Sequence, residues 1–258
     1  MSNEVDESVW AYQWGTFEDD NRMLFDAWIS PATLEDFRDK TVLDAGCGGG
    51  HHLRFVAPYA SEVVGVDLNC ADIAEDKSRE FSNITTMAGD IATMDLGRKF
   101  DVVYCIGVLH HTESPRASFK NLARHVRPGG RLIVWVYAHE GNALNRWLVE
   151  PFKRMIYGNW PRSVLLGLAR LLTALLYLPV YSIYLLPFRF LPYYDYFRNF
   201  RRLDFKRNVL NVFDKLNAPR TAFIRREEVE EWFADGFTNT HISPFLGVSW
   251  RGSGTRSR

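Results

Sequence analysis

Residues 42–50 read VLDAGCGGG. The first residues form a short apolar run that suits a buried strand, and the run delivers Asp44 to a bend. Gly46, Gly48, Gly49 and Gly50 then fill four of five positions. Glycine takes positive φ freely and lets a ligand approach the backbone closely. The helix expected next, over residues 52–59, offers free N–H groups and the positive end of a dipole. A strand, a bare bend and a helix in this order commit the chain to an α/β fold.

The pattern repeats downstream. Val63–Val66, Ile84–Met87, Asp101–Ile106 and Arg131–Tyr137 are expected strands. Ser114 can cap a helix that has Pro115 at its first position. Phe119, Leu122, Ala123 and Val126 follow helical spacing, and Pro128-Gly129-Gly130 is expected to stop that helix. Strands and helices alternating in this way predict a parallel sheet covered on both faces. Such sheets bind ligands beyond the carboxyl ends of their strands. Farther on, Val229, Trp232 and Phe233 mark a helix face that Gly236 can end. Phe237–Ile242 and Phe245–Trp250 are expected to pair antiparallel around Pro244, and the tail RGSGTRSR is expected to be loose.

Two nucleotide motifs fail at the glycine bend. Counted from Gly46, a G-x-G-x-x-G fingerprint would need glycine where His51 stands, and no G-x-x-x-x-G-K-[ST] run is present. An NAD-dependent oxidoreductase is therefore disfavoured. The segment Asp44-Ala45-Gly46-Cys47-Gly48-Gly49-Gly50 instead resembles motif I of the class I S-adenosylmethionine-dependent methyltransferases, in particular their small-molecule members. VVGVDLN (63–69), AGDI (88–91), FDVVYCIGVLHHT (100–112) and RPGGRLIVWVY (127–137) resemble the later strand motifs of that family, in order.

The resemblance implies a doubly wound Rossmann-like α/β fold. Its sheet would have seven mostly parallel strands with an antiparallel C-terminal strand, and a helical cap would be inserted. It implies S-adenosyl-L-methionine as cofactor, with Asp44, Gly46, Cys47, Gly48, Asp67, Leu68, Asp90, Ile91 and Gly107 around it. Asp67 would hold the ribose hydroxyls, Asp90 would face the adenine amino group, and Ile91 would pack on the ring. Asp44 would lie near the methionine amino group or order the loop.

A sulfonium is already a strong methyl donor, so the protein must chiefly position an acceptor and manage its proton. His110 and His111 follow the fourth strand, and imidazole titrates near neutrality. They are the candidate catalytic bases for an oxygen acceptor, with loop packing as the competing role. His139 and Glu140 are second-rank candidates, and His51 and His52 open the first helix. No cluster has metal-ligand spacing, so metal-independent chemistry is expected. The Asn/Asp-Pro-Pro-aromatic run common among nucleic-acid amino-methylating relatives is missing after the fourth strand, where Gly107-Val108-Leu109-His110 stands.

Composition separates the chain into parts. The 31 basic and 31 acidic residues cancel, which gives no argument for a general nucleic-acid binder. Yet residues 1–40 hold 3 basic and 10 acidic residues, whereas residues 145–207 hold 11 and 3. The expected parts are an N-terminal helical flap (1–40), a cofactor-binding core (41–137), an aromatic-rich basic cap (138–220) and a C-terminal helix and strand pair (221–258). The charge-free stretch Leu171–Phe188 would extend about 27 Å as a helix, slightly short of a bilayer core. A cap walling an apolar acceptor pocket is the favoured reading. Peripheral contact with the inner surface of a membrane through Arg198, Arg201 and Arg202 is a further one. Those arginines could instead be solvated or pair with the acidic N-terminus.

Cys47, Cys70 and Cys105 form no CxxC pair, and no signal-peptide pattern opens the chain, so a reducing, cytoplasmic location is expected. These features together predict a methyltransferase acting on a small, bulky, partly apolar molecule, with O-methylation favoured over C- or N-methylation. The alternative is a non-catalytic adenosylmethionine-binding interaction or regulatory protein.

Overall fold

The computed structural model describes residues 3–258, with side chains from Val9 onward. Seven strands form one sheet in the order β3-β2-β1-β4-β5-β7-β6. They are β1 (Thr41–Ala45), β2 (Glu62–Asp67), β3 (Ile84–Ala88), β4 (Phe100–Ile106), β5 (Val126–Tyr137), β6 (Phe237–Phe245) and β7 (Ser249–Arg256). β1 to β5 pair in parallel, and β7 runs antiparallel between β5 and β6. The order of strands switches between β1 and β4, so the switch point lies beyond the carboxyl ends of those two strands.

Period-two alternation sorts the sheet residues into two cores. Val42, Val102, Tyr104, Ile106 and Ile133 pack under α2 (Arg22–Ile29), α3 (His51–Val56) and α4 (Ala71–Ser78). Leu43, Ala45, Val103, Cys105, Leu132 and Val134 pack under α5 (Pro115–Arg124) and α10 (Arg226–Ala234). Ser114 caps α5 through the Ala117 amide. Asp101 ties β4 to its neighbours: it accepts from the Thr41 amide and hydroxyl at 2.9 and 2.8 Å and pairs with Arg127.

Four local expectations need correction. The helix before Pro128 ends at Arg124, and Val126 already belongs to β5. α3 stops at Val56 rather than Tyr59. The tail is not loose, because residues 251–256 belong to β7. Its glycines are there for packing: a Cβ on Gly252 or on Gly254 would lie 2.8 Å from the Phe233 ring of α10. Pro244 does not divide the final pair either, since it lies within β6 opposite Trp250.

Between β5 and α10 lies the inserted region. Residues 145–157 are helical, π-wound on both sides of the short α6 (Glu150–Phe152). α7 (Arg162–Val180), α8 (Tyr194–Phe200) and α9 (Phe205–Asn217) follow. Leu165, Leu166 and Ala169 of α7 meet Val209, Leu210, Phe213 and Leu216 of α9 in a small separate core. The charge-free stretch 171–188 is not one helix, because α7 ends at Val180 and a 3-10 turn covers Ile183–Leu185. α1 (Asn3–Thr16) joins this region to the sheet domain. Its Gln13 donates to Asp214 of α9 at 3.1 Å, and the Asn217 side chain donates to the Val9 carbonyl at 3.2 Å.

Candidate active site

The glycine bend lies at the carboxyl end of β1. The amides of Gly46 and Cys47 both donate to the Val66 carbonyl, at 2.7 and 3.1 Å, which draws the bend toward the end of β2. Gly46, Gly48 and Gly50 take φ of 89°, 52° and 78°, a region costly for residues with a Cβ. Asp67 closes the arrangement: Oδ2 accepts from the Gly48 amide at 2.9 Å, and Oδ1 accepts from the amides of Asn69 and Cys70 at 3.0 Å each. Oδ1 is thus occupied by two donors, and Oδ2 keeps further acceptor capacity.

β3 ends beside β2, with Ala88 opposite Asp67 and the Gly89 amide donating to the Asp67 carbonyl. Asp90 therefore follows next to the site, and its Oδ1 accepts from the Ala92 amide at 2.8 Å. Ile91 is buried, whereas Leu68 is exposed. Asn121 of α5 fixes this loop by donating to the Ile91 and Met94 carbonyls, at 3.1 and 2.9 Å. Gly107, at φ 82°, turns the chain after β4 and donates to the Trp135 carbonyl. Val108 next to it closes on the bend, where a Cβ on Gly46 would lie 2.4 Å from a Val108 methyl.

Asp44 is the electrostatic oddity. It is fully buried, and neither of its oxygens completes a hydrogen bond among the described residues. Burial pushes its carboxyl up to about 8, against the Tyr104 hydroxyl facing it from β4 and with help from the Asp67 charge. A buried carboxyl without a partner is costly unless a cation or donor completes it. Its place beside a bare, acid-flanked bend is chemically complementary to an ammonium group or a sulfonium. The groups present thus suit an adenosyl amino acid, whose ammonium Asp44 can face.

The two adjacent histidines differ sharply. His110 is fully buried. Its Nδ1 accepts from the Tyr137 amide at 3.4 Å, so its proton sits on Nε2, which lacks a partner among the described residues. Burial holds it well below the usual imidazole range, with His111 and Lys215 adding to the effect. His111 is half-buried, and its Nδ1 donates to the Arg220 carbonyl at 2.7 Å. That bond leaves the Nε2 lone pair as the basic position. Burial lowers the His111 pKa also, with the Asp214 carboxylate acting in the opposite sense.

Asp214 and Tyr137 were not singled out by sequence. The Tyr137 hydroxyl donates to Asp214 at 2.8 Å. Burial alone would raise the Asp214 carboxyl, but His111, Lys215, Tyr137 and Gln13 outweigh it and hold the group ionised. Tyr137 ends β5 at the functional edge, where it could have been noticed. Asp214 had no such signal, because only the folding of α9 over that edge brings it there.

α1 touches both halves of the site. The Trp10 ring lies 4.9 Å from that of His111, and Trp14 sits on the glycine bend, where a Cβ on Gly48 would lie 2.7 Å from its Nε1. Residues four apart share a helix face about 6 Å apart along the axis, so one face of α1 covers the candidate base and the bend together. Lys77 donates to the Trp14 carbonyl at 2.8 Å and pairs with Glu18 at 2.7 Å, while Glu18 also meets His51 at 2.8 Å.

The second-rank residues have structural partners. The Nδ1 of His139 meets Arg146, and Glu140 accepts from the Trp250 indole at 3.0 Å. His52 lies against Phe25 and Trp28, and burial pushes it down to about 3. Arg201 donates to the Val180 and Tyr184 carbonyls instead of standing free, and Arg202 reaches the Met23 sulfur. No group of three potential metal ligands occurs among the described residues.

The methyltransferase-domain family model matches residues 43–134. A tRNA U34 carboxymethyltransferase from Methylococcus capsulatus is 34% identical over 115 residues, covering 40% of this chain and 34% of the relative. A ubiquinone biosynthesis O-methyltransferase from Coxiella burnetii is 33% identical over 100 residues, covering 37% of this chain and 43% of the relative. The chain thus spans less than half the length of these curated relatives. Among solved structures, the N-methyltransferase NodS from Bradyrhizobium japonicum with bound S-adenosyl-L-homocysteine superposes over 99% of this chain and all of its own. The TM-score is 0.55 and the identity 13%. The magnesium protoporphyrin IX methyltransferase from Synechocystis, also with bound S-adenosyl-L-homocysteine, covers 97% of this chain and 94% of its own, at TM-score 0.54 and 18% identity. These two likenesses concern the fold. The likeness at the level of family lies in residues 43–134, where the chain is similar to a methyltransferase domain.

Proposed function

We propose that the protein is an S-adenosyl-L-methionine-dependent methyltransferase acting on a small, bulky, partly apolar molecule, with oxygen as the favoured acceptor atom. The observation that carries the cofactor part is the Asp67 bond to the Gly48 amide beside the unpartnered Asp44 carboxyl. Asp67 accepts from the ribose hydroxyls, Asp90 and Ile91 meet the adenine, and Asp44 in its ionised form meets the amino acid ammonium. Cys47, Leu68 and Gly107 complete the walls. When bound, the cofactor supplies an electrophilic methyl group on sulfur.

The acceptor side is formed by His111, Tyr137 and Asp214, under the cover of α1 and α9. His111 takes the acceptor's hydroxyl proton on Nε2, because Nδ1 is committed to the Arg220 carbonyl. Asp214 stabilises the resulting imidazolium by charge. His110 serves packing instead: its own proton occupies Nε2, and its Nδ1 is taken by the Tyr137 amide. Two comparisons name an oxygen and a nitrogen methyltransferase, so the preference for oxygen rests on this base. The preference for a small molecule over nucleic acid rests on the apolar insert above the site.

A labelled-methyl assay with a metabolite extract, followed by mass spectrometry of the product, tests this reading. A labelled low-molecular-weight product and release of S-adenosylhomocysteine are expected. Cofactor binding without turnover on any extract would instead support a non-catalytic binding protein.

A further inference from the structure

The outer face of the insert is apolar, and no element among the described residues covers it. On α7, Val164, Gly167, Leu171, Ala174, Leu175 and Leu178 are exposed at i, i+3, i+4 and i+7 spacing, with Leu178 70% exposed. The opposite stripe packs on α9. α7 is therefore apolar on two sides, the one that faces the insert's core and the one that faces outward. The exposed run continues past its end through Ile183, Leu185, Leu186, Phe188 and Phe190, the last 82% exposed. On the preceding helical segment, Trp147 and Met155 are 76% and 83% exposed. Leu144 and Trp147 share a groove of about 680 Å³ with Arg189, Leu191 and Tyr194, which makes the two exposed segments neighbours. Isolated exposed apolar residues are ordinary, but a contiguous face of this extent marks a binding surface.

Charge identifies the occupant. Residues 151–203 contain eight basic residues and a single acid, Asp195. Arg154, Arg170, Arg189 and Arg198 are exposed within or beside the apolar face. A second copy of this chain would bring like charge against like charge, and RNA would meet leucines where it needs a polar groove with stacking aromatics. An anionic lipid surface satisfies both parts, with acyl chains for the leucines and phosphates for the arginines. α7 is long and apolar enough to cross a bilayer by length and composition alone. Its attachment to α9 along one side leaves only the opposite face open to a lipid surface.

We propose that the exposed face of α7 and the following 181–190 segment docks the protein peripherally onto an anionic lipid bilayer, placing the insert between the membrane and the active site. This goes beyond the methyltransferase reading and does not depend on it, since the docking surface shares no residue with the cofactor or acceptor groups.

The test is co-sedimentation of the full chain with vesicles of phosphatidylcholine alone or mixed with phosphatidylglycerol. Sedimentation velocity of the protein alone and titration with bulk tRNA run alongside. The expected result is partition onto the mixed vesicles, weakened by salt. The triple variant L171E/L175E/L178E should stay in the supernatant with unchanged circular dichroism and melting temperature. The milder R170Q/R189Q variant should lose about fivefold in partitioning for each arginine. Equal recovery in the supernatant with and without vesicles would overturn the proposal, as would undiminished binding by both variants. Tighter binding to tRNA than to vesicles, or a stable dimer dispersed by the triple substitution, would also overturn it and assign the face to that other partner.

Discussion

The Tyr137 hydroxyl donates to the Asp214 carboxylate at 2.8 Å, joining the end of the central β5 strand to the inserted helix α9. Through this bond the insert becomes part of the active-site wall as well as its cover. Asp214→Asn keeps the shape but removes the charge opposing His111 burial. A fall in kcat of about tenfold to a hundredfold is expected, with a His111 pKa lowered further and cofactor affinity unchanged. A pH–rate profile identical to that of the wild type would assign Asp214 a packing role only.

His111 and His110 should separate in activity. His111→Ala is expected to lower kcat by about 10²–10⁴ for an oxygen acceptor, the usual contribution of a general base. His110→Gln preserves volume at the buried position and should retain most turnover while losing thermal stability. Measured kcat for both variants across pH decides the assignment, and equal losses would contradict it.

Asp44 gives a pH signature. Its carboxyl, pushed up to about 8 by burial, is neutral in the ligand-free protein at neutral pH. Binding a cation there requires ionisation, so cofactor binding below pH 8 releases a proton and affinity rises between about pH 6 and 8. Calorimetry in buffers of different ionisation enthalpy reads that proton, and Asp44→Asn should abolish its release. In the ligand-free protein the linkage has the opposite consequence. The raised pKa contributes stability that is complete below the ordinary carboxylate value and is lost as pH rises through about 8.

Trp14 covers the glycine bend and is held through the Lys77 bond to its carbonyl. Trp14→Ala should weaken cofactor binding by about tenfold, consistent with the loss of one aromatic wall. Affinity equal to or greater than that of the wild type would mean that α1 obstructs the crevice.

Gly252 tests the packing of the last strand. A side chain there would strike Phe233, so Gly252→Val should cost about 1–3 kcal/mol and lower Tm by several degrees. An unchanged melting curve would place α10 farther from β7 than described.

The sequence made β1, β2 and β4 legible because their apolar runs end at glycines or acids that must lie at one sheet edge. Asp67 was found by that logic, and its bond to the Gly48 amide is a local consequence of a short crossover. The extension of β7 through residues 251–256 was hidden because Gly252 and Gly254 imitate a disordered tail, whereas their absence of side chains makes room for Phe233. Asp214 was hidden for another reason. On its own helix it is one polar residue on an amphipathic surface, and its role depends on contacts with Gln13 and Tyr137, distant in sequence. The partners of Arg201 were not legible, because the Val180 and Tyr184 carbonyls that it satisfies carry no mark in the sequence.

Calorimetric titration of the protein and of Asp67→Ala with S-adenosylmethionine, S-adenosylhomocysteine and NAD weighs the whole interpretation in one experiment. Saturable one-site binding of both adenosyl compounds, no heat with NAD and a loss of about a hundredfold or more in the variant are the outcome it requires. NAD binding in preference to the adenosyl ligands, or an Asp67→Ala protein that binds S-adenosylmethionine like the wild type, would refute it.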